Sequence, residues 1–129
     1  MKKIILSFFF IFFSNIANAE WEIAAKHKDE NTVFLIDKNK IKKEGQNTYF
    51  WLLTNLKNKE ENHNWRSMLT YLKLDCDMLR AKVLKNIVKS SQGGLGQTLE
   101  EYNPPEGEWL SATPNSNNDI VYRKVCNYS

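Results

Sequence analysis

The chain has 129 residues, with 18 Lys and Arg against 15 Asp and Glu and a formal charge of +3. Lys2 and Lys3 lie in an N-terminal leader; without them 16 basic and 15 acidic residues remain, so the rest of the chain is nearly neutral. That balance gives no support to a nucleic-acid or anionic-membrane partner, and a chain of this length fits one domain with a modest core.

The apolar block Ile4 to Phe13, broken only by Ser7, follows the two lysines, and Ala17-Asn18-Ala19 then places small residues where a signal peptidase reads. Ten helical residues reach roughly 15 Å, half the hydrocarbon thickness, so the block is too short for a membrane anchor. Residues 1–19 therefore read as a secretory signal peptide cleaved between Ala19 and Glu20, and residues 20–129 as the exported domain. No Cys stands at the exit for lipid attachment, and no later stretch predicts a membrane span.

Trp21 to Ala25 reads as a short strand and Lys28 to Asn31 as a polar turn. Thr32 to Asp37, T-V-F-L-I-D, is rich in β-branched and aromatic residues and predicts a second strand. Lys38 to Gln46 is charged, contains Gly45 and predicts a loop. Asn47 to Leu56 is the most apolar stretch after the leader and predicts a central strand, with Lys57 to Asn64 as an exposed turn. Trp65 to Cys76 alternates, with Met68, Thr70, Leu72 and Leu74 on one side and Leu69, Tyr71 and Lys73 on the other.

Asp77 to Ser91 supports two readings. Leu79, Val83, Leu84, Ile87 and Val88 fall at helical spacing, with Asp77 as a cap and Gly93-Gly94 as a stop. A strand would instead put Leu79, Ala81, Val83 and Ile87 on one side, and the local pattern leans to helix. Gly93 to Gly96 reads as a flexible turn that lacks the Lys-Ser/Thr of a phosphate loop. Asn103 to Gly107, with Pro104 and Pro105, breaks regular structure, and Trp109-Leu110 is a short apolar touch. Ser116 followed by Asp119 resembles a capping box. The helix after it would gather Val121, Tyr122, Val125 and Cys126 into one stripe facing the sheet and turn Arg123 and Lys124 to solvent.

Cys76 and Cys126 are the two cysteines, and an even count in an exported domain points to a disulfide. It would close a loop of about 50 residues. The alternatives are a thiol nucleophile or a metal site; two cysteines far apart with no C-x-x-C pair argue against zinc.

The order of features resembles the surface-adhesin protein E family of small exported bacterial domains. The residues that carry the resemblance are Trp21 after the leader, Phe34-Leu35-Ile36-Asp37, Lys40-Ile41-Lys42, Tyr49-Phe50-Trp51-Leu52-Leu53, Ser67, Leu74-Asp75-Cys76 and Arg80. The Gly93 to Gly96 turn, Trp109, Pro114, Ser116 and Cys126 complete it. The resemblance departs from the family pattern at Pro114-Asn115-Ser116 and at Ser90-Ser91. It implies an α+β, mainly β fold: an antiparallel sheet of about six strands with a C-terminal helix packed on it and tied by the disulfide. It also implies that Asp77 to Ser91 is a strand, satisfied by antiparallel pairing with its neighbour, and it places the protein in the periplasm or at the surface of a bacterium.

Catalytic chemistry finds little purchase. His27 and His63 stand among polar residues with no Ser or Cys motif beside them. Glu60-Glu61, Asp75-Asp77 and Glu100-Glu101 are paired acids; Asp75 and Asp77 would share a strand face, although a solvent-facing rim is the simpler reading. No calcium loop is present, and no cofactor or metal is expected. Trp21, Trp51, Trp65 and Trp109 read mostly as core. Trp65, after a polar run and before Arg66, is the aromatic expected at the surface, and Trp65, Arg66, Lys40, Lys42 and Lys43 form the candidate binding surface.

Three functional readings remain open. The first is a non-enzymatic binding module for an envelope component or, as the resemblance implies, an extracellular matrix protein. The second is a small periplasmic enzyme or enzyme inhibitor built around Asp75, Asp77, Arg80 and His63. The third is a structural envelope protein, a homo-oligomer paired through an exposed sheet edge.

Overall fold

A computed structural model describes residues 20–29, 31–58, 64–105 and 107–128. The leader with Ala19, and the turn residues Glu60, Glu61 and His63, lie outside the described residues. Among the described residues, eight strands are followed by one α-helix: β1 (Trp21–Lys26), β2 (Thr32–Asp37), β3 (Lys42–Glu44), β4 (Asn47–Leu56), β5 (Ser67–Asp75), β6 (Arg80–Lys89), β7 (Thr98–Tyr102), β8 (Leu110–Ser111) and α1 (Asn117–Asn127). They form one antiparallel sheet in the order β1-β2-β4-β5-β6-β7. The three-residue β3 adds to β4, and the two-residue β8 adds to the start of β6. The six strands of the main path match the number expected. Of the two extra ones, β3 lies within the segment read as a loop, where pairing to a neighbouring strand needs no apolar signal of its own, and β8 begins in the short apolar touch Trp109-Leu110.

Alternation along β4 builds both faces. Thr48, Phe50 and Leu52 turn to the helix side, and Tyr49, Trp51 and Leu53 to the other. On the helix side, Ile36, Phe50, Leu72, Leu74 and Ala81 pack against Val121, Tyr122 and Val125 of α1. Full burial of each large apolar side chain contributes about 1.5–3 kcal/mol. The Tyr122 ring meets Phe50 edge-on, with centroids 6.5 Å apart. Cys126, one position beyond Val125, reaches Cys76 at the end of β5, and the two are joined as a disulfide with a Cα–Cα distance of 5.9 Å.

Helix α1 starts where the Ser-x-x-Asp pattern put it. Ser116 Oγ accepts the Asp119 N–H at 3.2 Å. The shorter Asp side chain does not return to the cap residue's own N–H: Asp119 Oδ2 accepts from Asn115 N at 2.9 Å, and Oδ1 accepts from Arg123 Nε at 2.8 Å. The Asn115 N–H first, and then the Arg123 guanidinium, hold the Asp119 carboxyl below the usual carboxylate range. A carboxyl with a lowered folded pKa adds stability above its unfolded value and loses it as pH falls through the folded value. Asp119→Asn is therefore expected to melt below the unaltered protein at neutral pH. The gap in Tm closes as pH drops below about 4, and a gap constant from pH 7 to pH 2 would refute the assignment.

Asp77 to Ser91 resolves as a turn followed by a strand. Asp75 Oδ1 accepts from Asp77 N and Met78 N at 3.0 and 3.2 Å, Leu79 takes a positive φ of 51°, and β6 begins at Arg80. The resemblance is right about the strand, and the local lean to helix is wrong for a definite reason. The register between β5 and β6 slips between Tyr71 and Leu72: Tyr71 faces Lys85 and Leu72 faces Val83, so Leu84 is an extra residue. Such a bulge turns the later half of the strand over. Ala81 and Val83 then share the helix face with Val88, whereas Ile87 joins Leu69 on the other face. A strand with a phase jump leaves apolar residues three and four apart, which in sequence mimics a helix.

After β6 the chain folds back over the face opposite α1. A single-turn 3-10 helix (Gln92–Gly94) sets Gly93 N on Asn55 Oδ1 at 2.8 Å and Gly94 N on Ser67 Oγ at 2.9 Å. Gly94 has a φ of +74°, the left-handed region that favours glycine, and a Cβ there would stand in tight contact, 3.1 Å, with the Leu69 side chain. Both sheet edges carry features that discourage strand addition. Edge strand β1 has a bulge between Ile23 and Ala25, and Lys124 Nζ donates to Ile23 O at 3.2 Å. Edge strand β7 presents Glu100 and Glu101 and runs into Pro104 and Pro105.

Candidate functional site

The residues singled out in the sequence do not form one surface. Trp65 and Arg66 precede β5 beside the end of β4, whereas Lys40, Lys42 and Lys43 lie beside its beginning. Trp65 is half-buried. Arg66 donates from Nη2 to Lys57 O at 3.0 Å and Leu56 O at 3.4 Å, bonding the carbonyls that end β4. Lys40 and Lys43 are exposed, and Lys42 Nζ pairs with Glu44 at 3.0 Å. Asp75 and Asp77 do not share a strand face, because Asp77 lies in the turn. The Met78 N–H first, and then the Arg80 side chain, hold the Asp75 carboxyl below its ordinary range. Its oxygens are occupied in capping the turn and pairing with Arg80 at 3.1 Å.

The open face of the sheet, opposite α1, gathers the residues that sequence reasoning missed. Register places Lys42 of β3, Tyr49 of β4, Lys73 of β5 and Lys82 of β6 in one cross-strand row. The next row is Trp51, Tyr71 and Lys85. Trp51 and Tyr71 rings lie 4.8 Å apart and Tyr49 and Tyr71 rings 6.1 Å apart, all three half-buried. Lys85 Nζ meets Glu101 of β7 at 2.7 Å. Trp109, just before β8, lies among three cations: Arg80, Lys82 and Lys73 approach its ring centroid at 4.7, 4.9 and 5.8 Å. One signal was available in the sequence, the period of two that sets Tyr49 and Trp51, and Tyr71 and Lys73, opposite the core residues of the same strands.

A concavity of 370 Å³ opens on the helix side where α1 does not reach, lined by Trp65, Met68, Val88, Leu99 and Tyr102 among others. Among the described residues, no group of three or more His, Cys, Asp or Glu is placed to hold a metal ion. No helix among the described residues is long and apolar enough to cross a membrane.

Among the described residues, one sheet, one docked helix and one disulfide clamp, with an aromatic and cationic face left open, describe a small disulfide-tied α+β domain. The chain belongs to the surface-adhesin protein E family, whose profile matches residues 21–127. Crystal form II of Haemophilus influenzae protein E superimposes with a TM-score of 0.63 at 20% identity, over 87% of this chain and 91% of that one. A second structure of Haemophilus influenzae protein E gives a TM-score of 0.62 at 20% identity, over 87% and 88%. These structures share the fold. No curated protein matches the chain. Membership places the chain among adhesin-like surface proteins, which are exported.

Proposed function

We propose that this chain is an exported, non-enzymatic binding module of the bacterial envelope, processed after Ala19, whose ligand surface is the open face of the sheet. The observation that carries the reading is the pair of rows Lys42-Tyr49-Lys73-Lys82 and Trp51-Tyr71-Lys85. Tyr and Trp rings presented on a rigid sheet are among the residue types enriched at binding surfaces. The partner is an extracellular matrix protein or an envelope component.

Processing after Ala19 has its own support. Glu20 N lies 3.4 Å from Oδ1 of Asp37, a carboxylate only 1% exposed. Cleavage would make that nitrogen an ammonium and give the buried charge an opposite partner. Mass spectrometry of exported protein is expected to find Glu20 as the first residue.

The test of the surface is binding of the mature domain to immobilised extracellular matrix proteins, with Tyr71→Ala and Lys73→Ala variants in parallel. Capture by at least one matrix protein is expected, weakened about tenfold by either variant. Capture that both variants leave intact would move the ligand surface elsewhere. The concavity beside Trp65 would be the next place to substitute.

A further inference from the structure

The helix side of the sheet is covered at one end only. Helix α1 lies against β1 and β2, and the 370 Å³ concavity opens over the end formed by β5, β6 and β7. Register builds its floor. Met68, Val88 and Glu100 form one cross-strand row, and Thr70, Asn86 and Tyr102 form the next. A bulge in β7 leaves Leu99 as an extra residue between the Val88–Glu100 and Lys89–Thr98 pairs. Bulges re-aim side chains, and here Leu99 and Glu100 line the same concavity although they are adjacent in sequence. Trp65 adds a second aromatic ring. Tyr102 is 53% exposed and Leu99 39%, so the site holds aromatic and apolar surface open to water.

The site has charge of one sign. Glu100 is the one charged side chain among the described residues that line it. The neighbouring lysines of β6 turn to the opposite face. There Lys85 pairs with Glu101 at 2.7 Å, and Lys89 Nζ donates to Thr98 Oγ1 at 2.8 Å. Neither is placed to answer Glu100. The floor also satisfies itself, since Thr70 Oγ1 donates to Asn86 Oδ1 at 2.8 Å. What remains is two aromatic rings, an aliphatic floor and a carboxylate. The volume is that of a small-molecule site. A primary ammonium brings three N–H donors, each needing an acceptor. A quaternary ammonium brings none, packs its methyl groups on apolar surface and is attracted to aromatic faces.

We propose that this concavity binds a quaternary ammonium compound, its methylated cation held against Tyr102 and Trp65 with the Glu100 carboxylate beside it. The site lies on the face opposite the proposed ligand surface and does not depend on that reading.

The experiment is a nuclear magnetic resonance titration of the isotope-labelled mature domain with choline. Three further probes are its uncharged carbon isostere neohexyl alcohol, butylammonium, and glycerophosphocholine. Choline is expected to shift the Trp65 indole and the Val88 and Leu99 amides saturably, with the isostere and butylammonium each weaker by about tenfold. Glu100→Gln is expected to weaken choline by about tenfold and leave the isostere unchanged. Tyr102→Leu is expected to weaken choline about fivefold, and Tyr102→Phe, which keeps the ring, to change it little. Positions 100 and 102 are exposed, so both variants should keep the Tm of the unaltered protein. Choline binding tighter than glycerophosphocholine assigns a free ammonium compound, and the reverse assigns a lipid headgroup. The proposal is overturned if choline gives no saturable shift, or shifts Tyr71 and Lys73 instead. It is equally overturned if the isostere or butylammonium binds as tightly as choline, or if Glu100→Gln has no effect.

Discussion

Replacing both Cys76 and Cys126 with alanine is expected to lower the stability of the mature domain by about 4 kcal/mol. The bridge spans 50 positions of sequence, and in the chain-entropy picture a closed loop of that length removes this much freedom from the unfolded chain. The folded state gains as well, because the bond fixes the end of α1 over the β5–β6 turn, where Cys76 also lies 3.8 Å from the buried Thr48 hydroxyl. Urea unfolding should show a lower midpoint in the variant, and a reductant should bring the unaltered protein to the same midpoint. Coincident curves for oxidised protein and variant would mean that the clamp adds nothing.

A second large loss is expected at Phe50. Its side chain is fully buried between the sheet and α1, against the edge of Tyr122. Phe50→Ala removes a large apolar group and leaves a hole that the strands on either side cannot close, a loss of about 4 kcal/mol. In a domain of this size that lowers Tm by roughly 15 °C. Trp51, the next residue, is the informative control. It points to the open face and lies tilted against Tyr71 with ring centroids 4.8 Å apart, so Trp51→Ala should cost less than half as much stability and, under the proposed function, weaken capture by the immobilised ligand. Equal melting of the two variants would contradict the assignment of the two faces.

The parts of the fold visible in the sequence are those whose evidence is local. Thr32–Asp37 and Asn47–Leu56 are strands with the ends expected, because each is an apolar, β-branched or aromatic run bounded by polar residues. The stripe Val121, Tyr122, Val125 and Cys126 could be placed from spacing alone, and with it the inward aim of the second cysteine. Strand β6 was hidden because the extra residue at Leu84 has meaning only against the facing strand β5. The open face was hidden for a related reason. Lys42, Tyr49, Lys73 and Lys82 are neighbours only once four strands are in register, and aromatic residues in a short chain look like core when read one at a time. Trp65 reads as exposed in the sequence because polar residues precede it; in the fold it is half-buried beside Met68 and Val88.

The strand order also bears on how the molecule assembles. Each long strand lies beside the next long strand in the chain, so the sheet can zip up through short closures. The contacts of α1 with β1 are of another kind: Lys124 and Ile23 are 101 positions apart. Closing a long loop costs more entropy than closing a short one, which makes helix docking the late event and its release the early one. Amide hydrogens of α1 should therefore exchange ahead of those in β4 and β5 once the sulfur bridge is reduced. Such a chain would keep its sheet while uncovering Phe50, Leu72 and Leu74, the surface most prone to clumping.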